Sequence, residues 1–117
     1  MKFKKIDDYP SGQCFFVAMR QLGQKLTVEA PPHGLLLYEI LFLFNFKYNS
    51  NYRYTDFETD VHRLKSLEHT DLKGKTGVLL LRDLTKGHVC AIIDGVIYDK
   101  AKPNKDTKVV GILECPK

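Results

Sequence analysis

The sequence has few cysteines and no close pair among them. The three, Cys14, Cys90 and Cys115, are an odd number spread over a chain of 117 residues. A disulfide framework needs paired cysteines, so we expect the chain to fold in a reducing compartment, the cytoplasm. Cys115 is interpreted as an incidental residue of the C-terminal tail.

The sequence also lacks a run that could cross a membrane. The strongest apolar stretch, residues 35–46, is interrupted by Glu39 and Asn45, whereas a spanning helix needs about twenty apolar residues. No apolar segment follows the N-terminal lysines, so no secretory signal peptide is expected there. We therefore expect a soluble protein with no membrane partner.

Charge of one sign is not concentrated anywhere in the chain. The net charge is +4, the lysines are scattered, and neither an arginine-rich run nor a zinc-ligand spacing is present. Nucleic acid is therefore not expected as a partner. No metal or other cofactor is expected.

No repeat, linker or low-complexity tract divides the chain. Its 44% hydrophobic and 27% charged residues are typical of a globular protein, and a single domain over residues 1–117 is expected. Residues 12–72 are predicted to be mainly helical and residues 75–115 to form a sheet, which together describe an α+β domain.

Three helices are predicted in the first half. Apolar residues recur at helical spacing over residues 14–26, and residues 35–46 are apolar nearly all round, as in a buried helix. Residues 48–54 are predicted to be a loop. Residues 55–58 have capping-box spacing, which predicts that a third helix begins at Thr55. The residues of this helix that are predicted to face the core are Phe57, Val61, Leu64 and Leu67.

Antiparallel strands are predicted in the second half. Residues 76–81 form a continuous apolar run, typical of a strand that is covered on both faces. Residues 89–93 and 96–98 flank an Asp-Gly pair, which is a strong signal for a two-residue hairpin turn. Residues 109–113 are expected to supply a closing strand.

The hairpin turn determines which side chains share a face. If Ile93 pairs with Val96, His88 and Asp99 become diagonal neighbours on one face, because side chains alternate along a strand. Such neighbours lie about 7–8 Å apart at their backbones, which long side chains can span. Cys90 is on the same face and is interpreted as a small apolar filler beneath the histidine, with a second nucleophile or redox partner as the alternative.

Cys14 begins the first predicted helix. The partial positive charge of a helix N-terminus stabilises a thiolate, and a neighbouring imidazolium lowers the pKa of a thiol further. Thiol-dependent acyl transfer needs a nucleophile, a base and an orienting carboxylate, and Cys14, His88 and Asp99 are the candidates. A buried structural cysteine is the alternative for Cys14.

Other titratable residues are weaker candidates for this chemistry. The remaining histidines, which are interpreted as surface or capping residues, are His33, His62 and His69. Asp94 is assigned to the hairpin turn. Asp7 and Asp8 are interpreted as a solvated surface pair.

Two motifs carry a family resemblance. They are Ser-Gly-Gln-Cys-Phe-Phe at residues 11–16 and Gly-His-Val-Cys-Ala-Ile-Ile-Asp-Gly-Val-Ile-Tyr-Asp at residues 87–99. Together they resemble a papain-like cysteine peptidase, most closely the small bacterial and bacteriophage branch, and the resemblance covers residues 14–99. The cysteine motif alone is also similar to that of ovarian-tumour-type deubiquitinases.

The resemblance implies a papain-like fold in which N-terminal helices pack on a C-terminal antiparallel β-sheet. It implies that Cys14 is the nucleophile, that His88 is the general base and acid, and that Asp99 orients His88. The implied reaction hydrolyses an amide or isopeptide bond of a protein or peptide substrate through a thioester acyl-enzyme.

The oxyanion hole departs from the family pattern. Papain-like enzymes often have a glutamine five or six residues before the cysteine, and this sequence has Asp8 and Tyr9 there. The backbone N–H of Cys14 is the first candidate donor, with Gln13 or Gly12 as a second source.

Several functions share this chemistry and stay open at this point. They are those of a peptidase, an amidase, a deamidase and a deubiquitinase. The alternative is a papain-like interaction module without catalysis, such as a phage protein that binds a host factor in the host cytoplasm. A toxin or effector that modifies a host protein is a third possibility. Tyr48, Tyr52 and Tyr54 are interpreted as ordinary loop residues, with a contact surface for either role as the alternative.

Overall fold

A computed structural model describes six segments of the chain, residues 2–10, 13–23, 53–57, 63–82, 87–104 and 106–115. These segments form a mixed α+β domain. Its elements are β1 (Lys2–Lys5), α1 (Cys14–Gln21), β2 (Arg53–Asp56), a 3-10 helix (Leu67–His69), β3 (Gly77–Arg82), β4 (Gly87–Ile93), β5 (Val96–Asp99) and β6 (Lys108–Glu114). Within these segments, no helix is long and apolar enough to cross a membrane.

The strands of the described segments form one sheet of six in the order β1-β5-β4-β3-β6-β2. The four predicted strands lie together at its centre and pair antiparallel. The antiparallel pairing predicted for the C-terminal half is therefore confirmed, but strands from the N-terminal half extend the sheet at both edges: β1 pairs parallel with β5 and β2 pairs antiparallel with β6. Pairing with β1 satisfies backbone groups that β5 would otherwise expose at the sheet edge.

Asp94 and Gly95 form the turn between β4 and β5. Their φ values are both positive, 51° and 79°, as the commonest two-residue hairpin turn requires at both positions. Ile93 pairs with Val96, so the predicted register is confirmed. The N–H of Gly95 also donates to the carbonyl of Lys75 at 2.9 Å, which ties this turn to the segment before β3.

The sheet buries apolar side chains on both faces. Five consecutive residues of β3 are buried, as predicted for a strand covered on both sides. Cluster 1, on the face that packs against α1, comprises Phe15, Phe16, Ala18, Met19, Val78, Leu80, Val89, Ala91 and Leu113. Cluster 2, on the other face, comprises Leu67, Leu72, Leu79, Leu81, Cys90, Ile92, Ile97, Val109 and Ile112. Residues from the segment before β3 therefore cover the second face.

Helix α1 begins at Cys14, as predicted, and ends at Gln21. Gly23 follows with a φ of 81°, the left-handed conformation that terminates many helices and that glycine adopts without strain. The predicted extension of this helix is therefore wrong at residues 22 and 23. Residues 24–26 and the helix predicted over residues 35–46 lie outside the described residues.

The helix predicted from Thr55 is wrong at its start, although two of its predicted core residues, Leu64 and Leu67, are buried. Residues 53–56 form β2, which pairs antiparallel with β6, and the predicted loop over 48–54 is wrong for its last two residues. Phe57, predicted to face the core, is 36% exposed. A local capping pattern is a weak signal compared with pairing at a sheet edge. Gly111 permits the close approach of β2, since a Cβ there would lie 2.6 Å from the carbonyl oxygen of Thr55.

Gly77 is predicted to be irreplaceable in β3. A Cβ at this position would lie 2.0 Å from the carbonyl oxygen of Leu113, and backbone atoms of a central strand cannot move away cheaply. We expect Gly77→Ala to lower the free energy of unfolding by about 2 kcal/mol or more. Urea denaturation measures this. Gly87→Ala in β4 is the control, because its Cβ would lie 3.7 Å from its nearest neighbour; equal losses in the two variants would contradict the prediction.

Candidate active site

Three elements bring Cys14, His88 and Asp99 to one end of the sheet. Cys14 is the first residue of α1, His88 is the second residue of β4, and Asp99 is the last residue of β5. The β4–β5 hairpin holds the last two on one face, the arrangement expected from its register. The helix N-terminus approaches the same place because α1 packs on β4 through cluster 1.

His88 and Asp99 are joined by a short hydrogen bond. The distance from Nε2 of His88 to Oδ2 of Asp99 is 2.6 Å, just below the about 2.7–2.9 Å usual for a charge-assisted N–H···O bond. Asp99 is 3% exposed, whereas about a third of the His88 side chain is accessible. The carboxylate is thus a fixed, buried partner for a histidine that still reaches the surface.

The second oxygen of Asp99 is also occupied. The Tyr9 hydroxyl donates to Oδ1 at 2.9 Å, and the backbone N–H of Lys100 donates to the same oxygen at 2.8 Å. The N–H of Ile6 donates to the main-chain carbonyl of Asp99 at 2.9 Å, which continues the β1–β5 pairing. The carboxylate therefore has one oxygen for His88 and one for two other donors.

Tyr9 is a site residue that sequence reasoning missed. Strand β1 carries it there, since Lys5 pairs with Asp99 and Tyr9 follows four residues later. The side chain of Lys100 holds it in place, with Nζ 3.3 Å from the Tyr9 carbonyl oxygen and 4.5 Å from the ring centroid. No local pattern in this lysine-rich segment predicts a strand, so only the sheet pairing reveals the contact.

The Cys14 thiol is surrounded by hydrogen-bond donors. Its partners are the His88 side chain and the backbone N–H groups of Val89 and Phe15. Because Nε2 of His88 faces Asp99, Nδ1 is the ring nitrogen left for the sulfur. Burial raises the pKa of Cys14, but these hydrogen bonds and the charge of the imidazolium outweigh burial and lower it below the ordinary thiol value.

The two partners of the histidine push its pKa upward. Burial lowers the pKa of His88, yet its bonds with Asp99 and Cys14 raise it to about 9. Burial likewise raises the pKa of Asp99, and the bonds from His88 and Tyr9 lower it overall. A depressed thiol pKa beside a raised imidazole pKa favours a thiolate–imidazolium ion pair at neutral pH.

Cys90 lies next to this group and differs from Cys14 in environment. It is 2% exposed in cluster 2, and burial followed by the charges of Asp99 and Cys14 raises its pKa. A thiol held neutral and enclosed by apolar side chains is a packing residue. The interpretation of Cys90 as a filler fits this environment.

The possible oxyanion donors lie at the start of α1. Gln13 occupies the N-cap position without a side-chain capping bond, and its backbone N–H is engaged by the carbonyl of Pro10 at 3.3 Å. The N–H of Cys14 lies in the first helical turn, where backbone donors have no intrahelical acceptor. Gly12, the other expected donor, lies outside the described residues.

The other candidates that the structure describes are not part of this group. His69 ends the 3-10 helix and forms an exposed pair with Glu68 at 3.3 Å. Asp8 accepts from the backbone N–H of Tyr9 at 2.9 Å, and Asp94 stays in its turn. His33 and His62, like Tyr48 and Tyr52, lie outside the described residues. Across the six described segments, no three His, Cys, Asp or Glu side chains cluster as metal ligands would.

Comparison with known proteins adds no relative. No protein-family model matches the chain, and neither a curated protein nor a solved structure matches it.

The raised pKa of His88 is predicted to depend on Asp99. In Asp99→Asn the charge and the strongest hydrogen bond to the imidazolium are lost, so the pKa should fall from about 9 toward or below about 6.5. An NMR titration of the His88 ring protons measures it. Asp8→Asn, which removes a nearby exposed carboxylate that does not contact His88, is the control. A pKa that stays near the wild-type value in Asp99→Asn would contradict the ion-pair geometry.

Tyr9 is predicted to stabilise the fold through Asp99. Tyr9→Phe removes one donor from a buried carboxylate and should lower the free energy of unfolding by about 1–2 kcal/mol at neutral pH. Because the folded-state pKa of Asp99 is depressed, its contribution is present at neutral pH, and the difference should shrink as pH falls through that pKa. Tyr98→Phe, in the same strand as Asp99, is the matched control. Equal effects of the two variants in urea denaturation would exclude the proposed contact.

Proposed function

We propose that this protein is a cysteine-dependent hydrolase of the papain-like type, which acts on an amide or isopeptide bond. Cys14 is the nucleophile, His88 the general acid and base, and Asp99 the orienting carboxylate. The observation that carries the proposal is the hydrogen-bonded series from the Cys14 thiol through His88 to the buried Asp99, with the pKa of the thiol lowered and that of the imidazole raised.

Acylation begins with the thiolate of Cys14 attacking the substrate carbonyl carbon. A carbon–sulfur bond forms, and the carbonyl electrons move to oxygen to give a tetrahedral oxyanion near the N-terminus of α1, where the Cys14 N–H donates. As the oxyanion collapses, the carbon–nitrogen bond breaks. The imidazolium of His88 gives its proton to the departing amine, which leaves a thioester on Cys14 and a neutral imidazole.

Hydrolysis of the thioester restores the starting state. Neutral His88 accepts a proton from water while the water oxygen attacks the thioester carbonyl, and the carbon–sulfur bond breaks to release the acid and the Cys14 thiolate. Asp99 stays ionised throughout and stabilises the imidazolium each time it forms. Peptidase, amidase and deamidase reactions differ in the leaving group and share these steps.

A papain-like interaction module without turnover is the second candidate. The observation that favours it concerns Tyr9, which stands where such enzymes often carry an oxyanion-binding glutamine. Its hydroxyl donates to Asp99 and is therefore not free to bind a developing oxyanion. A module of this kind would retain the ion pair and fail to turn over substrate.

The rate of Cys14 alkylation by iodoacetamide is predicted to be high well below the ordinary thiol pKa of about 8.5. In His88→Ala the lowering contact is lost while burial remains, so the midpoint of the pH profile should move to about 8.5 or above. Mass spectrometry of the Cys14 peptide separates its labelling from that of Cys90 and Cys115. His69→Ala, which removes an exposed histidine, is the control. An ordinary thiol profile in both wild type and His88→Ala would overturn the catalytic proposal.

Reaction with p-nitrophenyl acetate separates the two candidate functions. A hydrolase should release p-nitrophenolate in a burst followed by steady turnover, whereas a module should stop after acylation of Cys14. Cys14→Ser tests whether the burst arises at this residue.

A further inference from the structure

A cavity of about 600 Å³ opens beside His88 and Asp99. It lies where β3 and β5 end and where β4 and β6 begin, the same end of the sheet as Cys14. Of the other described residues that line it, four are cationic, Arg82, Lys100, Lys102 and Lys108, and one is a carboxylate, Asp106. Leu81 and Pro103 form apolar parts of its wall.

Two of the cations face each other, and the described part of the chain supplies neither of them with an ion-pair partner. Arg82 on β3 and Lys108 on β6 occupy directly opposite positions and are both exposed. Like charges at opposite positions of an antiparallel pair destabilise it. Among the residues that the structure describes, no carboxylate forms an ion pair with either side chain. A contribution to sheet stability therefore does not explain why two cations occupy these opposite positions.

An irregularity in strand pairing creates the arrangement. The register between β3 and β6 shifts between Leu80 and Leu81, and without the shift Arg82 would face the apolar Val109 instead of Lys108. Such irregularities often redirect side chains beside functional sites. Here the shift moves a second cation to the mouth of the cavity.

The remaining lysines of the cavity have different roles. The ammonium of Lys100 is turned toward Tyr9, 3.3 Å from its carbonyl oxygen, and lies 3.8 Å from Asp8. Lys102 is exposed and, within the described segments, has no ion pair. Arg82, Lys102 and Lys108 are thus the cations available to a ligand.

We propose that this cavity binds an acidic peptide segment, whose Asp or Glu side chains contact Arg82, Lys102 and Lys108. This proposal rests on the proposed function, because the acidic segment would belong to the substrate whose scissile bond is attacked by Cys14. Apolar walls from Leu81 and Pro103 suit a peptide. A nucleic acid backbone would need an extended basic track, and the chain carries a net charge of only +4.

The test is a binding measurement that does not depend on hydrolysis. Fluorescein-labelled peptides of alternating Glu and Ala, or of alternating Gln and Ala, are titrated with the Cys14→Ala protein, and fluorescence anisotropy is recorded at low salt. The Glu peptide should bind at least about tenfold more tightly than the Gln peptide, and added salt should reduce this preference.

Charge-removing variants locate the binding site. Arg82→Gln combined with Lys108→Gln, in the same protein, should lower the affinity for the Glu peptide about tenfold, while its unfolding midpoint should stay the same or rise because the like-charge contact is gone. Lys2→Gln combined with Lys73→Gln is the matched control. It removes equal charge at the opposite end of the sheet, where both residues line a separate depression.

Three results would overturn the proposal. The first is equal binding of the Glu and Gln peptides. The second is an equal loss of affinity in the control variant, which would indicate a nonspecific charge effect. The third is tighter binding of labelled oligothymidylate than of the Glu peptide, abolished by Arg82→Gln with Lys108→Gln, which would make the cavity a phosphate-backbone site. Failure of Cys14 alkylation is a separate result, since peptide binding is measured without the thiol.

Discussion

Burial of the Asp99 carboxylate is the constraint on which this end of the molecule depends. A charge taken out of water is strongly destabilising unless it is paired and hydrogen-bonded. His88, Tyr9 and the N–H of Lys100 provide those bonds. Two of these partners come from β4 and from the residue after β5, but Tyr9 comes from the N-terminus. The parallel pairing of β1 with β5 is therefore part of the same electrostatic arrangement.

The Asp99 carboxylate influences the ionisation of the Cys14 thiol indirectly, through His88. Burial alone would raise the pKa of Cys14, and the hydrogen bond and charge of His88, together with the backbone N–H groups of Val89 and Phe15, lower it. His88 is protonated at neutral pH because Asp99 raises its pKa. The start of α1 supplies one backbone donor to the sulfur, the N–H of Phe15, and β4 supplies another, the N–H of Val89, but the His88 side chain has the larger effect on the thiol pKa. The fixed position of the Asp99 carboxylate therefore affects the pKa of the Cys14 thiol without direct contact between the two groups.

Local chemistry made part of this architecture predictable. The Asp-Gly turn has one strongly favoured geometry, and the alternation of side chains then carries His88 and Asp99 to one face without further information. The end of α1 and the strand at Thr55 were mispredicted for different reasons. Gly23 outweighed an apolar pattern that continued beyond it, and pairing with β6 outweighed a capping motif. Strand β1 has three lysines among its four residues and no distinctive apolar pattern, so its pairing, and with it the position of Tyr9, depends on contacts distant in sequence.

The proposed acidic-peptide cavity and the proposed nucleophile are electrostatically linked through His88. Arg82, Lys102 and Lys108 contribute positive potential at the cavity that contains the imidazole, which opposes the imidazolium, whereas Asp99 favours it. An acidic segment in the cavity would neutralise part of that potential and so strengthen the thiolate–imidazolium pair when a substrate is present. The same segment would place its negative charge beside His88, which lines the cavity, and not against Cys14, which does not line it. We therefore expect the thiolate–imidazolium pair of Cys14 and His88 to be more stable when the acidic segment is bound in the cavity than when the cavity is empty.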